Sequence, residues 1–125
     1  MASPILSIGY QRKETGNSGE SMVCDYLLAK QYKILDRNKF MRTGEIDILA
    51  EKGGVTVIVE VKTVTGDKFG QAIGYVNRKK QDKLRQLARE LIQILGDDRN
   101  IRIDVAGVDF QSGEIDYIEN AVTGK

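Results

Sequence analysis

Gly44-Glu45-Ile46-Asp47-Ile48-Leu49-Ala50, followed across Gly53-Gly54 by Val57-Ile58-Val59-Glu60-Val61-Lys62, reads as two strands joined by a tight turn. Val55, Val57, Val59 and Val61 alternate with Ile58, Glu60 and Lys62, the period of a pleated strand with distinct faces. Two glycines supply the positive φ angles of a type I′ hairpin turn. With Lys52 facing Val55 across that turn, the same register carries Asp47 opposite Glu60 and Glu45 opposite Lys62.

That pairing is costly as structure alone. Directly opposed side chains lie close together, and like charges there are destabilising. At about 5 Å and an effective dielectric near 20, two carboxylates repel by roughly 3 kcal/mol. Water, protonation or a divalent cation would relieve the repulsion. Mg²⁺ is often bound by one or two protein carboxylates, with water and substrate phosphate completing its shell. The bland alternative is an exposed Glu45–Lys62 salt bridge, worth at most about 1 kcal/mol.

The 125-residue length fits one domain. Residues 1–15 read as a flexible start and 16–125 as the folded unit. Cys24 is the one cysteine, which excludes an intrachain disulfide and fits a reducing cytoplasm. No apolar run is long enough to span a membrane. Histidine is absent, so hydrolytic chemistry here must use carboxylates, lysine, a hydroxyl or metal-bound water. The net charge of +1 hides an asymmetry: residues 76–95 hold six Lys or Arg against two acids, and residues 96–125 hold three against seven. A polyanion would find a basic surface on such a chain, although an ordinary solvated surface fits the same counts.

Asn17 to Gln31 has a helical pattern, with Val23, Tyr26 and Leu27 on one face. Glu20 fits two roles there. It completes a capping box with Asn17, or it offers an acid beside the apolar face. Tyr32 to Arg37 reads as a strand, and Asn38 to Thr43 as a loop carrying Lys39, Phe40 and Arg42. Residues 66–75 have no clear period. Asn77 caps a helix reaching Leu95, with Leu84, Leu87, Leu91 and Leu95 as its stripe and Gly96 as its stop. Ile101 to Asp109 is a further strand, and Glu114 to Ile118 a short last one. The helical crossover makes the strands on either side of it parallel. The expected fold is α/β, a mixed sheet with an α-β-β-β-α-β core.

Asp47 followed by Glu60-Val61-Lys62 resembles the D…ExK signature of the PD-(D/E)xK nuclease superfamily. Glu20 on the first helix is similar to an extra acid of archaeal Holliday-junction resolvases. A closer resemblance is to the bacterial YraN family of endonuclease-like proteins. It is carried by Gly19-Glu20, Asn38, Gly44-Glu45-Ile46-Asp47, Val59-Glu60-Val61-Lys62, Phe69-Gly70, Lys80 and Ile103-Asp104-Val105. It covers roughly residues 16–122.

The resemblance implies a restriction-endonuclease-like three-layer fold and a metal-dependent nuclease acting on DNA, including branched or flapped forms. It implies that Asp47, Glu60 and the Val61 carbonyl hold Mg²⁺ or Mn²⁺. Glu20 then adds a ligand or holds a metal water, and Lys62 orients water or meets charge developing on phosphate. Lys80, at a helix start, would neutralise a neighbouring phosphate, or be the solvated end of an amphipathic stem. Lys39, Arg42, Gln71, Lys79 and Lys83 complete the candidate DNA surface, and Phe40 is placed to touch bases. Gln71 to Tyr75 also spells the QxxxY of RecB-type nucleases, a match that the glycine at 74 weakens. Asp104 stays outside the catalytic set as a structural acid. Cutting two strands symmetrically calls for two sites, hence a homodimer. The competing functions are a non-catalytic nucleic-acid-binding or adaptor module on the same scaffold, and a protein-interaction domain using the acidic C-terminal segment.

Overall fold

The structure, a computed structural model, describes residues 18–64, 74, 76–96 and 99–123. The N-terminal segment, Asn17, Phe69-Gly70, Gln71 and the QxxxY stretch as a whole therefore lie outside the described residues.

Helix α1 (Ser18–Ala29) buries Val23, Cys24 and Leu27 completely. It stops two residues before the expected end. Gln31 adopts φ 72°, Tyr32 N–H donates to Leu27 O and Gln31 N–H to Leu28 O. This is a Schellman-type stop, which needs a left-handed residue just past the helix.

Five strands follow: β1 (Lys33–Phe40), β2 (Glu45–Lys52), β3 (Val55–Val64), β4 (Asn100–Asp109) and β5 (Ile115–Ile118). They lie in the order β1-β2-β3-β4-β5. Pairing is antiparallel except between β3 and β4, which run parallel as the crossover requires. That crossover contains helix α2 (Arg78–Leu95). Asn77 caps it by accepting from Lys80 N–H at 2.9 Å, and Gly96 ends it at φ 122°.

The Gly53-Gly54 turn has φ 59° and 81°, and pairing runs from Lys52↔Val55 to Ile48↔Val59 in the anticipated register. The ladder ends there, so Asp47↔Glu60 and Glu45↔Lys62 are not backbone pairs. The expected loop at Asn38–Phe40 is also strand. Pairing of Lys39 with Ile46 and Phe40 with Glu45 supplies backbone partners around Asn38 at φ 52°, and the register shift in β1 lies earlier, between Ile34 and Asp36.

Each face of the sheet carries a helix. Val23, Cys24 and Leu27 of α1 pack on Ile48, Ala50, Val57, Val59, Ala106 and Val108. Leu84, Leu87 and Leu91 of α2 pack on Ile46, Leu49, Ile58, Ile103 and Val105. In β2 this alternation breaks, because Ile46 and Leu49 join one core while Ile48 and Ala50 join the other. The break falls beside Asp47, where β2 leaves β3.

Asp104 is fully buried with four hydrogen bonds on its carboxylate. Arg102 donates from Nε and Nη2 at 2.9 Å each, Tyr117 Oη donates at 2.6 Å and Asn120 N–H at 2.8 Å. Arg102 also donates to Tyr32 Oη at 2.7 Å. Burial, then Asp104, pushes the Tyr117 phenol upward and keeps it a donor. The acid ties β4, β5 and the start of β1 together, the structural role expected of it. No helix among the described residues is long and apolar enough to cross a membrane.

Candidate active site

Three elements bring acids to the end of the sheet where β2 and β3 separate. The Asp47 side chain fills the gap left by the ended ladder: its Oδ2 accepts Val61 N–H at 2.9 Å, in place of a backbone carbonyl. Glu60 follows Ile58 on the face covered by α2. There its Oε2 meets Lys80 Nζ at 3.1 Å. Glu20, in the first turn of α1, is held from the other side. Asn38 Nδ2 donates to its Oε1 at 2.9 Å, and Arg37 Nε lies 3.8 Å away. Arg37 in turn donates to Ser21 Oγ at 3.0 Å, which anchors β1 to α1.

The electrostatics couple these groups. Burial pushes the Asp47 carboxyl up to about 7. The Glu60 charge adds to this, the Val61 N–H opposes it, and Glu20 and Lys80 act more weakly in opposite senses. Burial also raises Glu20, against the Asn38 hydrogen bond and Arg37, with Glu45 and Glu60 adding to the rise. Asp47, Glu60 and Glu20 thus share one field, as convergent carboxylates do.

Beside the acids an open pocket of about 410 Å³ is lined by Glu60, Lys62, Val76, Asn77, Lys79, Lys80 and Lys83. Four ammonium groups therefore face a space that begins at a site acid, which suits an anionic ligand. Lys83 also donates to Thr43 O at 2.9 Å. Lys39 sits in β1 rather than in a loop, 3.7 Å from Asp36. Arg42 is exposed on the β1–β2 connection.

Sequence reasoning missed the groups that hold this site. Glu90 accepts Arg42 N–H at 3.0 Å and Thr43 N–H at 2.9 Å, pinning the β1–β2 connection to α2. Hydrogen bonds from Thr43, first its side chain, keep the Glu90 carboxyl below its ordinary range. Arg37 and Asn38 grip Glu20. Asn38 stood among the residues that carried the YraN resemblance, but nothing in the local pattern marked Glu90 or Arg37.

Among the described residues no group of three or more acid, cysteine or histidine side chains is assembled to hold a metal unaided. Mg²⁺ needs only one or two protein carboxylates when water and phosphate oxygens supply the rest. Asp47 and Glu60, electrostatically coupled and with the Lys80 ammonium on Glu60, are oxygen donors of the kind a hard divalent cation takes.

The profile of an uncharacterised protein family, UPF0102, matches residues 19–108. A UPF0102 protein of Thermodesulfovibrio yellowstonii is 44% identical over 110 residues, covering 88% of this chain and 96% of the relative. One from Desulforamulus reducens is 39% identical over 119 residues, covering 90% and 98%. Among solved structures, Pyrococcus furiosus SfsA in complex with Ca²⁺ is similar at a TM-score of only 0.30 and 16% identity. That likeness covers 83% of this chain and 62% of that one.

Proposed function

The chain belongs to the uncharacterised protein family UPF0102, the YraN family, and from that premise we propose that it is a metal-dependent endonuclease that hydrolyses DNA on a restriction-endonuclease-like scaffold. The observation that carries this reading is the convergence of Asp47 and Glu60 where β2 parts from β3, with Glu20 and Lys80 in the same field. Asp47, Glu60 and the Val61 carbonyl would hold Mg²⁺ or Mn²⁺, with Glu20 as an added acid. A bound divalent cation supplies Lewis acidity toward the phosphodiester and lowers the pKa of water.

The remaining work falls to the chain's own residues. Lys62 orients the attacking water or stabilises charge developing on the phosphate. Lys80 leaves Glu60 as phosphate arrives, and Lys79 and Lys83 hold neighbouring phosphates along the pocket. Lys39 and Arg42 extend the contact on the β1–β2 side.

The test is a Mn²⁺ titration with linear, single-stranded, flapped and four-way DNA. Cleavage that drops by about a hundredfold or more in Asp47→Asn and Glu60→Gln supports the proposal. No cleavage of any of these, with no divalent stabilisation in a melting curve, overturns it.

One observation favours a second reading, a non-catalytic nucleic-acid-binding module. Both central acids already have protein partners, Val61 N–H for Asp47 and Lys80 for Glu60. Salt-dependent DNA binding that is indifferent to metal and to Asp47→Asn would select it.

A further inference from the structure

Phe40, the last residue of β1, is 81% exposed, more than Leu28 at 46%, Ile94 at 61% or Phe110 at 53%. Its position is imposed by its surroundings. Phe40 pairs with Glu45 across the hairpin, and Met41 N–H donates to Gly44 O at 2.8 Å. Met41 turns inward against the α2-side core. Glu90 then holds the next two N–H groups, and Lys83 holds the Thr43 carbonyl. The backbone on both sides of the ring is thus tied down while the ring stands in solvent.

Its neighbours are charged rather than apolar, with the acidic Glu45 directly opposite it. Lys39 precedes it, Arg42 follows two residues on, and Lys83 braces the turn. Glu45, its cross-strand partner, acts electrostatically on Glu20. Asn38, two residues before the ring in β1, donates to Glu20 Oε1 at 2.9 Å, so this end of β1 lies near that acid. A protein-docking aromatic normally sits in a packed apolar patch. An exposed ring in a stretch that also carries lysine and arginine suits stacking on a nucleobase whose flanking phosphates those cations neutralise.

We propose that Phe40 is a stacking platform for an unpaired base, so that this site takes nucleic acid with single-stranded nucleotides beside the acids. The proposal rests on the nuclease reading and narrows its substrate class. Base pairs inside a duplex hide their faces, so a blunt duplex gains nothing from the ring.

The chain has no tryptophan, so Phe40→Trp introduces the sole indole reporter. Binding is measured without divalent metal, in EDTA at low salt, using a short oligo-dT strand and a blunt duplex of equal length. The expected results are quenching of the indole by the single strand, about tenfold weaker single-strand binding in Phe40→Ala, and unchanged duplex binding. Melting of Phe40→Ala should match wild type, because the ring is exposed. An indole unaffected at saturation by anisotropy, equal weakening of both ligands, or no single-strand binding overturns the inference. So does concentration-dependent quenching without nucleic acid, which would mean that a second copy covers the ring. Wild-type cleavage is read separately: cutting that persists while the ring proves inert removes this inference and leaves the nuclease reading standing.

Discussion

Asp47 is held in the fold at an electrostatic cost, and that cost is measurable. Its carboxyl is pushed to about 7, against about 4 for an unperturbed aspartate. Between those values the folded chain binds a proton that the unfolded chain has released. Metal-free stability from this group therefore falls as pH rises from about 4 to about 7, then levels. Asp47→Asn keeps an acceptor for Val61 N–H and removes the titration. Urea melts in EDTA at pH 5 and pH 8 should show wild type losing on the order of 2 kcal/mol more than the variant. Identical losses would assign the strain to another group. Asp104 holds the fold through donors on both of its carboxylate oxygens. Asp104→Ala removes the carboxylate from Arg102 and strands Tyr117 Oη and Asn120 N–H, and should cost about 3–5 kcal/mol in a denaturant melt. Its cleavage per folded molecule should be unchanged, whereas Asp47→Asn should lose cleavage and keep its fold. Both acids are equally visible in the sequence. Their partners separate them, and those partners come from other strands and from α1.

At the scale of elements, the hairpin was readable because two local rules coincide in it: alternation in β3 and a glycine pair that admits only a few turns. Its far end was not readable. Whether a ladder continues or yields to a side chain depends on where α1 and α2 pull the strands, and Ile46 joins the α2-side core at the cost of the pairing. Asn38–Phe40 was likewise hidden, since its strand character comes from β2 and its left-handed Asn38 mimics a loop residue. The rotation of α2 against the sheet is also tertiary, so the meeting of Lys80 with Glu60 was not legible in either element alone. The contact between α1 and β3 yields a prediction of its own. A Cβ on Gly19 would lie 2.7 Å from Thr63 Oγ1, inside van der Waals contact. Threonine is stiff at χ1, so the first turn of α1 must lift, and Glu20 lifts with it. Gly19→Ala should cost about 1–2 kcal/mol in a melt and lower cleavage more than that loss explains. Adding Thr63→Ala should restore both, and failure of the second change to rescue would separate Glu20 placement from this contact.

For the whole molecule the decisive quantity is where charge sits, because the total is only +1. Lys79, Lys80 and Lys83 of α2 open onto the acid site, and Glu90 and Lys83 lock the β1–β2 connection to the same helix. The sheet thus presents one end on which two acids, a lysine pocket and an exposed ring are neighbours. Its opposite end, at the Gly53-Gly54 turn, carries none of these. A ligand engaging the acid end must release counterions in proportion to the phosphates it places in the pocket. Binding to DNA in EDTA should therefore weaken linearly in log affinity against log salt. Lys79, exposed and lining the pocket, is the cleanest probe, since Lys80 is paired to Glu60 and Lys83 braces a loop. Lys79→Gln should flatten the slope by about one, weaken single strand and duplex alike, and leave the melting temperature unchanged. Lys33, at the start of β1 and paired with Glu51 beside the Gly-Gly turn, is the matching control. Lys33→Gln should leave the slope unchanged, and equal slopes for both variants would mean that the nucleic acid lies elsewhere on the molecule.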